Sequence, residues 1–255
     1  MRVLIIIPAY NEEKSLKRVM EHLKAVCPQL DYLIINDGST DRTKAICIEN
    51  QYHVMHFPEN QGLTKVIQTG MRYALERDYD AALQFDADGQ HLPEYIESMV
   101  SLMEETGCDI VIASRFKDGK MPFRLRTLGE KLISAAIRLT TGQSLTDPTS
   151  GMRLYGRRII RQFARDSSCA PEPDTIAYMV RMGANVQEVK VEMEDRKEGK
   201  SYLTPVNATK YMIKELSSIL IFQWFRGKKS IAEGTDNTKR AEFRELESVG
   251  GGRKL

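Results

Sequence analysis

A short apolar segment near the N-terminus constrains the fold most strongly. Every residue from Val3 to Ile7 is apolar, and Pro8 ends the run. A strand that is apolar on both faces is typical of a parallel sheet covered by helices on both sides. The run is too short for the apolar core of a signal peptide, so we expect a buried central strand.

Strand-like and helix-like segments alternate along the first half of the chain. The predicted strands are 3–7, 31–36, 53–57, 109–113 and one beginning at Ala81, and the predicted helices are 16–26, 43–51, about 62–77 and 93–105. This alternation predicts an α/β fold with a mostly parallel, Rossmann-like central sheet flanked by helices. Right-handed crossovers place the carboxyl ends of the strands at one edge of the sheet, which is where ligands bind.

The second half is less regular and divides the chain into three predicted parts. Its predicted helices are 128–141, 157–164, 174–182 and 205–225, and its predicted strands are 153–155 and 186–191. We expect a main domain over 1–204, a C-terminal amphipathic helix over 205–229 and a disordered tail over 230–255. Apolar residues from Ile219 to Phe225 are followed by three basic residues, which suits a membrane surface contacted through 211–229. Packing on the core or on a second copy of the chain is the alternative.

Charge and cysteine content narrow the function classes. The net charge of +2 gives no general case for nucleic acid binding. Four separated cysteines without a C-x-x-C spacing favour reduced thiols and a cytoplasmic protein. No apolar run approaches the roughly 18 residues of a spanning helix, so we expect at most peripheral contact with the inner face of the cell membrane.

Two carboxylates one residue apart follow the strand that begins at Ala81. Asp86, Asp88 and Gln90 offer oxygen atoms at the edge of the sheet, where the backbone turns. Carboxylate and amide oxygens suit Mg²⁺ or Mn²⁺, with open positions for a diphosphate. Taken alone, Asp-x-Asp is common, and a solvated turn is an equally good interpretation.

Two further polar turns follow predicted strands. Asp37 could accept hydrogen bonds from a base or a ribose, or could simply form the turn. Asp41 is better explained as the cap of the next helix, and Asn11 is expected to cap the first helix. The segment from Pro8 to Glu12 could flank a nucleotide.

These motifs, in this order and spacing, resemble family 2 glycosyltransferases with the GT-A fold, and most closely the dolichyl- or polyprenyl-phosphate sugar synthase branch. The resemblance covers about residues 1–204. It rests on Pro8–Glu12, Asn36–Asp41, Asp86–His91, Ser114–Arg115, Asp147–Arg153 and Arg196–Ser201. It implies an inverting, metal-dependent transfer of a sugar from a UDP- or GDP-sugar to a lipid-linked or glycan acceptor such as a polyprenyl phosphate.

The resemblance also implies roles for individual residues. These are Pro8, Tyr10 and Glu12 in the nucleotide pocket, Asp37 at the base, Asp86 near the ribose and the metal, Asp88 and Gln90 on the metal, and Arg115, Arg153, Arg196 and Lys200 at phosphates. Arginine forks match phosphate oxygens, and a leaving diphosphate needs its charge neutralised. A surface ion pair is the alternative for each arginine.

A hydroxyl acceptor would need a general base, whereas a phosphate acceptor is already ionised. Asp147, Glu172 and Asp174 are the candidates for that base. No Gln-x-x-Arg-Trp motif is present, which argues against processive polysaccharide synthesis. The alternatives from other classes are a phosphotransferase or nucleotidyltransferase that uses Asp-x-Asp, and a nucleotide-sugar-binding protein without turnover.

Overall fold

The computed structural model describes residues 1–117, 125–194, 205–221 and 225, with the side chains of 125–127 and 205–208 left aside. The described residues form one seven-stranded sheet. Its strands are β1 (Val3–Ala9), β2 (Asp31–Asn36), β3 (Val54–His56), β4 (Ala81–Gln84), β5 (Ile110–Ser114), β6 (Arg153–Gly156) and β7 (Val186–Lys190). They are ordered β3-β2-β1-β4-β6-β5-β7, and only β6 runs antiparallel to its neighbours. The predicted α/β fold with a mostly parallel sheet is confirmed.

Helices cover both faces of the sheet. In the described residues they are α1 (Leu16–Val26), α2 (Thr43–Glu49), α3 (Leu63–Glu76), α4 (Ile96–Thr106), α5 (Leu125–Thr141), α6 (Arg157–Arg165), α7 (Pro173–Arg181) and α8 (Pro205–Leu220), with a 3-10 turn at Pro93–Tyr95. The first helix begins later than expected. Its N-cap is Ser15, so the predicted capping role of Asn11 is wrong.

The central strand β1 shows why its sequence is apolar without interruption. Leu4 and Ile6 lie in the core layer beneath α3, whereas Val3, Ile5 and Ile7 lie in the layer beneath α1 and α4. All five side chains are at most 2% exposed. Burial of each of these side chains stabilises the fold by about 1.5–3 kcal/mol, which favours a central position for β1.

The antiparallel strand β6 brings a turn to the ligand edge of the sheet. Arg153, at the start of β6, lies beside Gln84, at the end of β4. The residues just before β6 therefore lie where β4 ends, next to the Asp86 turn. Without this reversal, residues 147–151 would emerge at the opposite edge.

The C-terminal helix α8 packs on α5 and α7. Glu215 and Ile219 are fully buried there, and Met212 lies against Gly129 of α5. Packing on the core was the alternative to a membrane-surface helix, and the described part of α8 adopts it. The helix ends at Leu220 rather than at the predicted Phe225, and the predicted 230–255 tail lies outside the described residues. No helix in the described part of the chain has both the length and the apolar character needed to span a bilayer.

Candidate active site

The Asp-x-Asp turn lies at the carboxyl end of β4. Asp86, Asp88 and Gln90 are all half-buried. The Gln90 amide donates to Asp88 Oδ1 over 3.0 Å, which closes a tight turn. Gly89 has a φ of +79°, and a Cβ there would approach the Arg18 guanidinium to 2.9 Å. The positive φ favours glycine at position 89, whereas the end of the flexible Arg18 side chain could move aside.

The Asp86 carboxylate is held from two sides. His91 Nε2 lies 3.3 Å from Asp86 Oδ2, and the His91 side chain is only 3% exposed against 33% for Asp86. On the other side the backbone of Gly151 approaches so closely that a Cβ would lie 2.5 Å from Asp86 Oδ2. Gly151 is thus the point at which the 147–151 turn touches the Asp-x-Asp turn.

The oxygen atoms of this turn fit a hard divalent cation that is shared with a phosphate. Among the described residues no group of three or more His, Cys, Asp or Glu side chains could hold a metal ion. Mg²⁺ commonly takes only one or two carboxylates and completes its shell with water and substrate phosphates. Asp88, Asp86 and the Gln90 amide offer donors of this kind, and their binding of a cation together with a diphosphate stays a prediction.

Asp37 has a structural role at the neighbouring strand end. The carboxylate is 4% exposed, and its two oxygens accept hydrogen bonds from the amides of Gln61 (2.7 Å) and Gly62 (2.9 Å). These bonds fix the segment that leads into α3. The turn-forming role that the sequence left open is present, and contact with a nucleotide base remains a prediction.

The loops after β1 and β2 are bound to each other. Asn11, with a φ of +56°, accepts the Thr40 amide on Oδ1 over 2.9 Å. Asp41 accepts the amides of Glu13 and of Thr43, the first residue of α2, so it supports the start of that helix, although the N-cap position itself is Arg42. Burial alone would raise the pKa of Asp41, but these hydrogen bonds outweigh it and lower that pKa.

A pocket of about 320 Å³ lies between these two loops. Glu12 is part of its wall, and Glu12 Oε2 accepts the Ser15 hydroxyl over 2.5 Å. Tyr10 is 46% exposed at the same strand end, and Pro8 is half-buried within β1. The positions of Pro8, Tyr10 and Glu12 are compatible with a nucleotide pocket, and no contact in the structure tests that role.

Arg115, the residue after β5, forms a bidentate ion pair with Asp147. Arg115 Nε and Nη2 donate to the two oxygens of Asp147 over 2.6 and 2.8 Å, and the Arg115 amide adds a third bond. Asp147 is fully buried, whereas the Arg115 side chain is 23% exposed. Burial would lower the pKa of Arg115, but Asp147 and Glu130 raise it, so the guanidinium stays charged. This geometry suits Asp147 as the residue that holds Arg115 and does not suit it as a general base.

Glu188 on β7 supports this pair, and sequence reasoning missed it. Its carboxylate accepts the amides of Thr146 and Asp147 over 2.9 Å. The alternating polar and apolar pattern of β7 indicated only a half-exposed strand, so nothing local to Glu188 identified this contact. His91 and Gly151 were also missed as supports of Asp86, although both lie within the motifs.

Arg153 does not lie at the surface, so the surface ion pair that was the alternative to its phosphate role is wrong. It is 2% exposed, and it donates from Nε to Ser150 O (2.7 Å) and from Nη2 to Pro148 O (2.8 Å). Both acceptors are backbone carbonyls of the turn that precedes β6. A buried guanidinium bound in this way cannot reach a diphosphate at the sheet edge, so the structure corrects this prediction.

The other two candidates for a base are engaged by α8. Glu172 Oε2 accepts the Tyr211 hydroxyl over 2.6 Å, and Asp174 Oδ2 accepts the Ser218 hydroxyl over 2.7 Å. The structure brings both residues to the junction of α7 and α8. Their contacts fit the support of that junction better than proton transfer.

The remaining predicted phosphate-binding residues, Arg196 and Lys200, lie outside the described residues. The last described residue before them is Glu194, whose amide donates to Gln90 O over 3.0 Å. The chain therefore returns to the Asp-x-Asp turn two residues before Arg196.

Taken together, the mixed sheet, the ligand edge and the Asp-x-Asp turn define a GT-A type of α/β protein. Solved structures of that fold are similar to this chain. Glucosyl-3-phosphoglycerate synthase from Mycobacterium tuberculosis, in complex with Mn²⁺ and UDP-glucose, superposes with a TM-score of 0.62 at 18% identity, covering 86% of this chain and 79% of that one. Mannosyl-3-phosphoglycerate synthase from Rubrobacter xylanophilus gives 0.64 at 14% identity, covering 92% and 79%.

Sequence comparison identifies the family. The model of Glycosyl transferase family 2 matches residues 4–163. Polyprenol monophosphomannose synthase of Mycolicibacterium smegmatis is 30% identical over 249 residues, covering 91% of each chain. Undecaprenyl-phosphate mannosyltransferase of Micrococcus luteus is 32% identical, covering 80% of this chain and 88% of its own. The chain belongs to glycosyltransferase family 2 and is an enzyme related to polyprenyl-phosphate sugar transferases.

Proposed function

We propose that this enzyme transfers a sugar from a UDP- or GDP-sugar to a polyprenyl phosphate in one inverting displacement at the sugar C1. One observation carries the proposal: the 147–151 turn touches both sides of a single site. Its first residue, Asp147, holds Arg115, and its last, Gly151, contacts Asp86. A cationic group for an acceptor phosphate and an acidic turn for a donor diphosphate are thereby joined by one short segment.

The state of the carboxylates favours a phosphate acceptor over a hydroxyl. A hydroxyl must lose a proton to a base with a free lone pair, whereas a phosphate oxygen is already charged. Asp147, Glu172 and Asp174 all accept hydrogen bonds from neighbouring side chains. The names of the two relatives, a polyprenol monophosphomannose synthase and an undecaprenyl-phosphate mannosyltransferase, support the same acceptor and make mannose the first sugar to test.

The residues of this chain would divide the work between donor and acceptor. Asp88, Asp86 and Gln90 would hold Mg²⁺ or Mn²⁺, which neutralises charge on the leaving diphosphate when bound. Arg115 keeps its charge and donates to Asp147 from Nε and Nη2, so among the contacts of the described residues Nη1 would remain to bind an acceptor oxygen. Tyr10 and Glu12 would flank the nucleotide. Arg196 and Lys200 remain proposed phosphate contacts.

A lipid acceptor requires contact with a bilayer, and α5 and α8 offer a surface for it. Leu132 (49% exposed) and Leu139 (80%) of α5 and Ile213 (61%) of α8 are apolar and exposed, with Lys131 and Lys214 also exposed beside them. Apolar side chains flanked by cations suit an anionic bilayer. We propose that the enzyme binds the membrane peripherally through this surface.

Transfer assays and calorimetry test the proposed function. Titration of UDP and GDP with and without Mn²⁺ should show metal-dependent binding of one of them. Transfer of radiolabelled sugar should occur to undecaprenyl phosphate and not to undecaprenol, which lacks the phosphate. Failure to bind either nucleotide, or equal transfer to the alcohol, would contradict the proposal.

Flotation with anionic vesicles tests the membrane surface. Truncation before α8 is unsuitable because Glu215 and Ile219 belong to the core, so point variants are required. Leu132→Glu with Leu139→Glu should reduce flotation. The matched control Ile48→Glu, at an equally exposed apolar position on α2, should leave it unchanged. Equal flotation of both variants would remove this surface from the proposal.

A further inference from the structure

Arg153 is a buried cation whose position the proposed phosphate chemistry does not explain. It lies in β6 between Gln84 of β4 and Ile112 of β5. Its side chain is among the largest that the fold buries completely. Burying a guanidinium is costly unless its hydrogen bonds and its charge are both compensated. The groups that compensate it should therefore reveal its role.

The hydrogen bonds of Arg153 go to the 147–151 turn. Nε and Nη2 donate to the carbonyls of Ser150 and Pro148 over 2.7 and 2.8 Å. Within the turn the bonds are longer: the Ser150 amide to Asp147 O and the Thr149 hydroxyl to Asp147 Oδ1 at 3.2 Å, and the Met152 amide to the Ser150 hydroxyl at 3.3 Å. The planar fork of arginine, which binds two carbonyls at once, thus supplies the shortest bonds among these to the backbone of 148–150.

The charged form of Arg153 is favoured by groups on β6 and at the α7–α8 junction. Burial would lower the pKa of Arg153, but Tyr155 first, and then Tyr211 and Glu172, raise it above its ordinary value. Glu172 is the carboxylate of this group, and Tyr211 of α8 donates to it over 2.6 Å. The guanidinium that binds the turn therefore stays charged although it is buried.

We propose that Arg153 is a positioning residue that holds the 147–151 turn in the conformation that seats Asp147 on Arg115 and Gly151 on Asp86. This inference rests on the proposed function, because it assigns Arg115 to the acceptor and Asp86 to the donor. A shift of about 1 Å between two reacting groups can reduce a rate on the order of 100-fold. Arg153 would act on the rate without touching either substrate.

Amide hydrogen exchange of the ligand-free protein tests the restraint directly. In Arg153→Met, peptides that cover 148–152 should exchange at least about tenfold faster than in the wild type. Arg158→Met is a matched control. Arg158 also donates to two backbone carbonyls, those of Met182 and Gly183, but it lies on α6 away from the turn. Unchanged exchange of 148–152 in Arg153→Met, or equal acceleration in Arg158→Met, would overturn the inference.

Kinetics then separate positioning from phosphate binding. Arg153→Met should lower kcat at least about 100-fold while the Kd of the nucleoside diphosphate with Mn²⁺ changes by less than about threefold. Arg153→Lys should recover only part of kcat, because an ammonium group lacks the planar fork. Loss of nucleotide binding with normal exchange would identify a direct phosphate contact and overturn the inference.

Gly151→Ala provides a second route to the same answer, which also serves if Arg153→Met does not fold. The added Cβ meets Asp86 Oδ2 at 2.5 Å and so displaces the turn from its outer side. It should lower kcat by a similar factor with nucleotide affinity retained, and wild-type kcat in Gly151→Ala would overturn the inference. If the wild type itself binds no nucleotide and transfers no sugar, the proposed function fails, and the exchange experiment still decides whether Arg153 restrains the turn.

Discussion

Two sets of carboxylates, one from each half of the molecule, differ in how they are placed. In the first half, Asp86 and Asp88 follow a parallel strand and remain half-buried at the ligand edge. In the second half, Asp147, Glu172 and Asp174 each accept a hydrogen bond from another side chain, and Asp147 has no exposed surface. Asp86 and Asp88 are therefore placed where a ligand could reach them, whereas the second set already binds other elements of the fold.

This difference bears on which carboxylates can be assigned as catalytic bases. A carboxylate near a site is a candidate base only if it has a lone pair that the substrate can reach. The three candidates in the second half, Asp147, Glu172 and Asp174, all accept hydrogen bonds from neighbouring side chains, and their role as a base stays a prediction. A substrate that arrives already ionised, such as a phosphate, makes such an arrangement sufficient.

The sharpest test of the contrast is Asp88→Asn. Removal of this proposed metal ligand should lower the transfer rate at least about 100-fold, which corresponds to about 3 kcal/mol of transition-state stabilisation. The Tm should change by less than about 2 °C, because no core contact is lost. Steady-state transfer at saturating Mn²⁺ and thermal unfolding of the same sample provide both values.

Asp109→Asn is the matched control for that variant. Asp109 is also half-buried, but it precedes β5 at the opposite edge of the sheet and accepts the Asn185 amide over 2.9 Å. It should lower stability by up to about 1 kcal/mol and leave transfer within about threefold of the wild type. Wild-type transfer by Asp88→Asn would contradict the metal assignment.

For Asp147→Asn we expect a large loss of stability. The new amide group would oppose the donors of a largely buried guanidinium, so we expect a loss of about 3 kcal/mol in the free energy of unfolding, measured in urea. The exposed pair of Asp78 with Arg157 has the same separation of 2.6 Å, and Asp78 is 83% exposed. Asp78→Asn should therefore cost less than about 1 kcal/mol. Equal losses in the two variants would show that burial does not distinguish the pairs.

The α7–α8 junction should make stability dependent on pH. Burial, together with Asp174 and Glu172, raises the pKa of Glu215 to about 7, and the Asp174 amide and Lys214 oppose that shift. A carboxyl whose pKa is raised on folding contributes stability below its ordinary pKa and loses that contribution as the pH rises toward 7. Glu215→Gln cannot titrate, so its stability relative to the wild type should increase by about 2 kcal/mol between pH 5 and pH 8.

Urea unfolding at several pH values measures this difference. Glu49→Gln, at an exposed position on α2, serves as the control and should differ from the wild type by the same amount at every pH. A parallel pair of stability profiles for Glu215→Gln and the wild type would show that Glu215 is charged throughout.

The sequence predicted the first half well because its signals are local. Five apolar strands and the helices between them lie close to their predicted positions, since burial on both faces leaves an unbroken pattern in each strand. In the second half the decisive contacts join distant residues. Glu188 binds the amides of 146 and 147, and Arg153 is buried because β6 is inserted between β4 and β5. A polar residue is normally taken for a surface residue, so neither contact could be found without the topology.

Asp174→Asn has the smallest expected effect and tests whether this carboxylate is a general base. The amide retains an oxygen that can accept the Ser218 hydroxyl, so the free energy of unfolding should fall by no more than about 1 kcal/mol. Loss of a general base would lower kcat by about 100-fold or more, whereas a structural carboxylate should change it by less than about threefold. A loss of 100-fold with normal stability would make Asp174 the base, and would favour a hydroxyl acceptor over a phosphate.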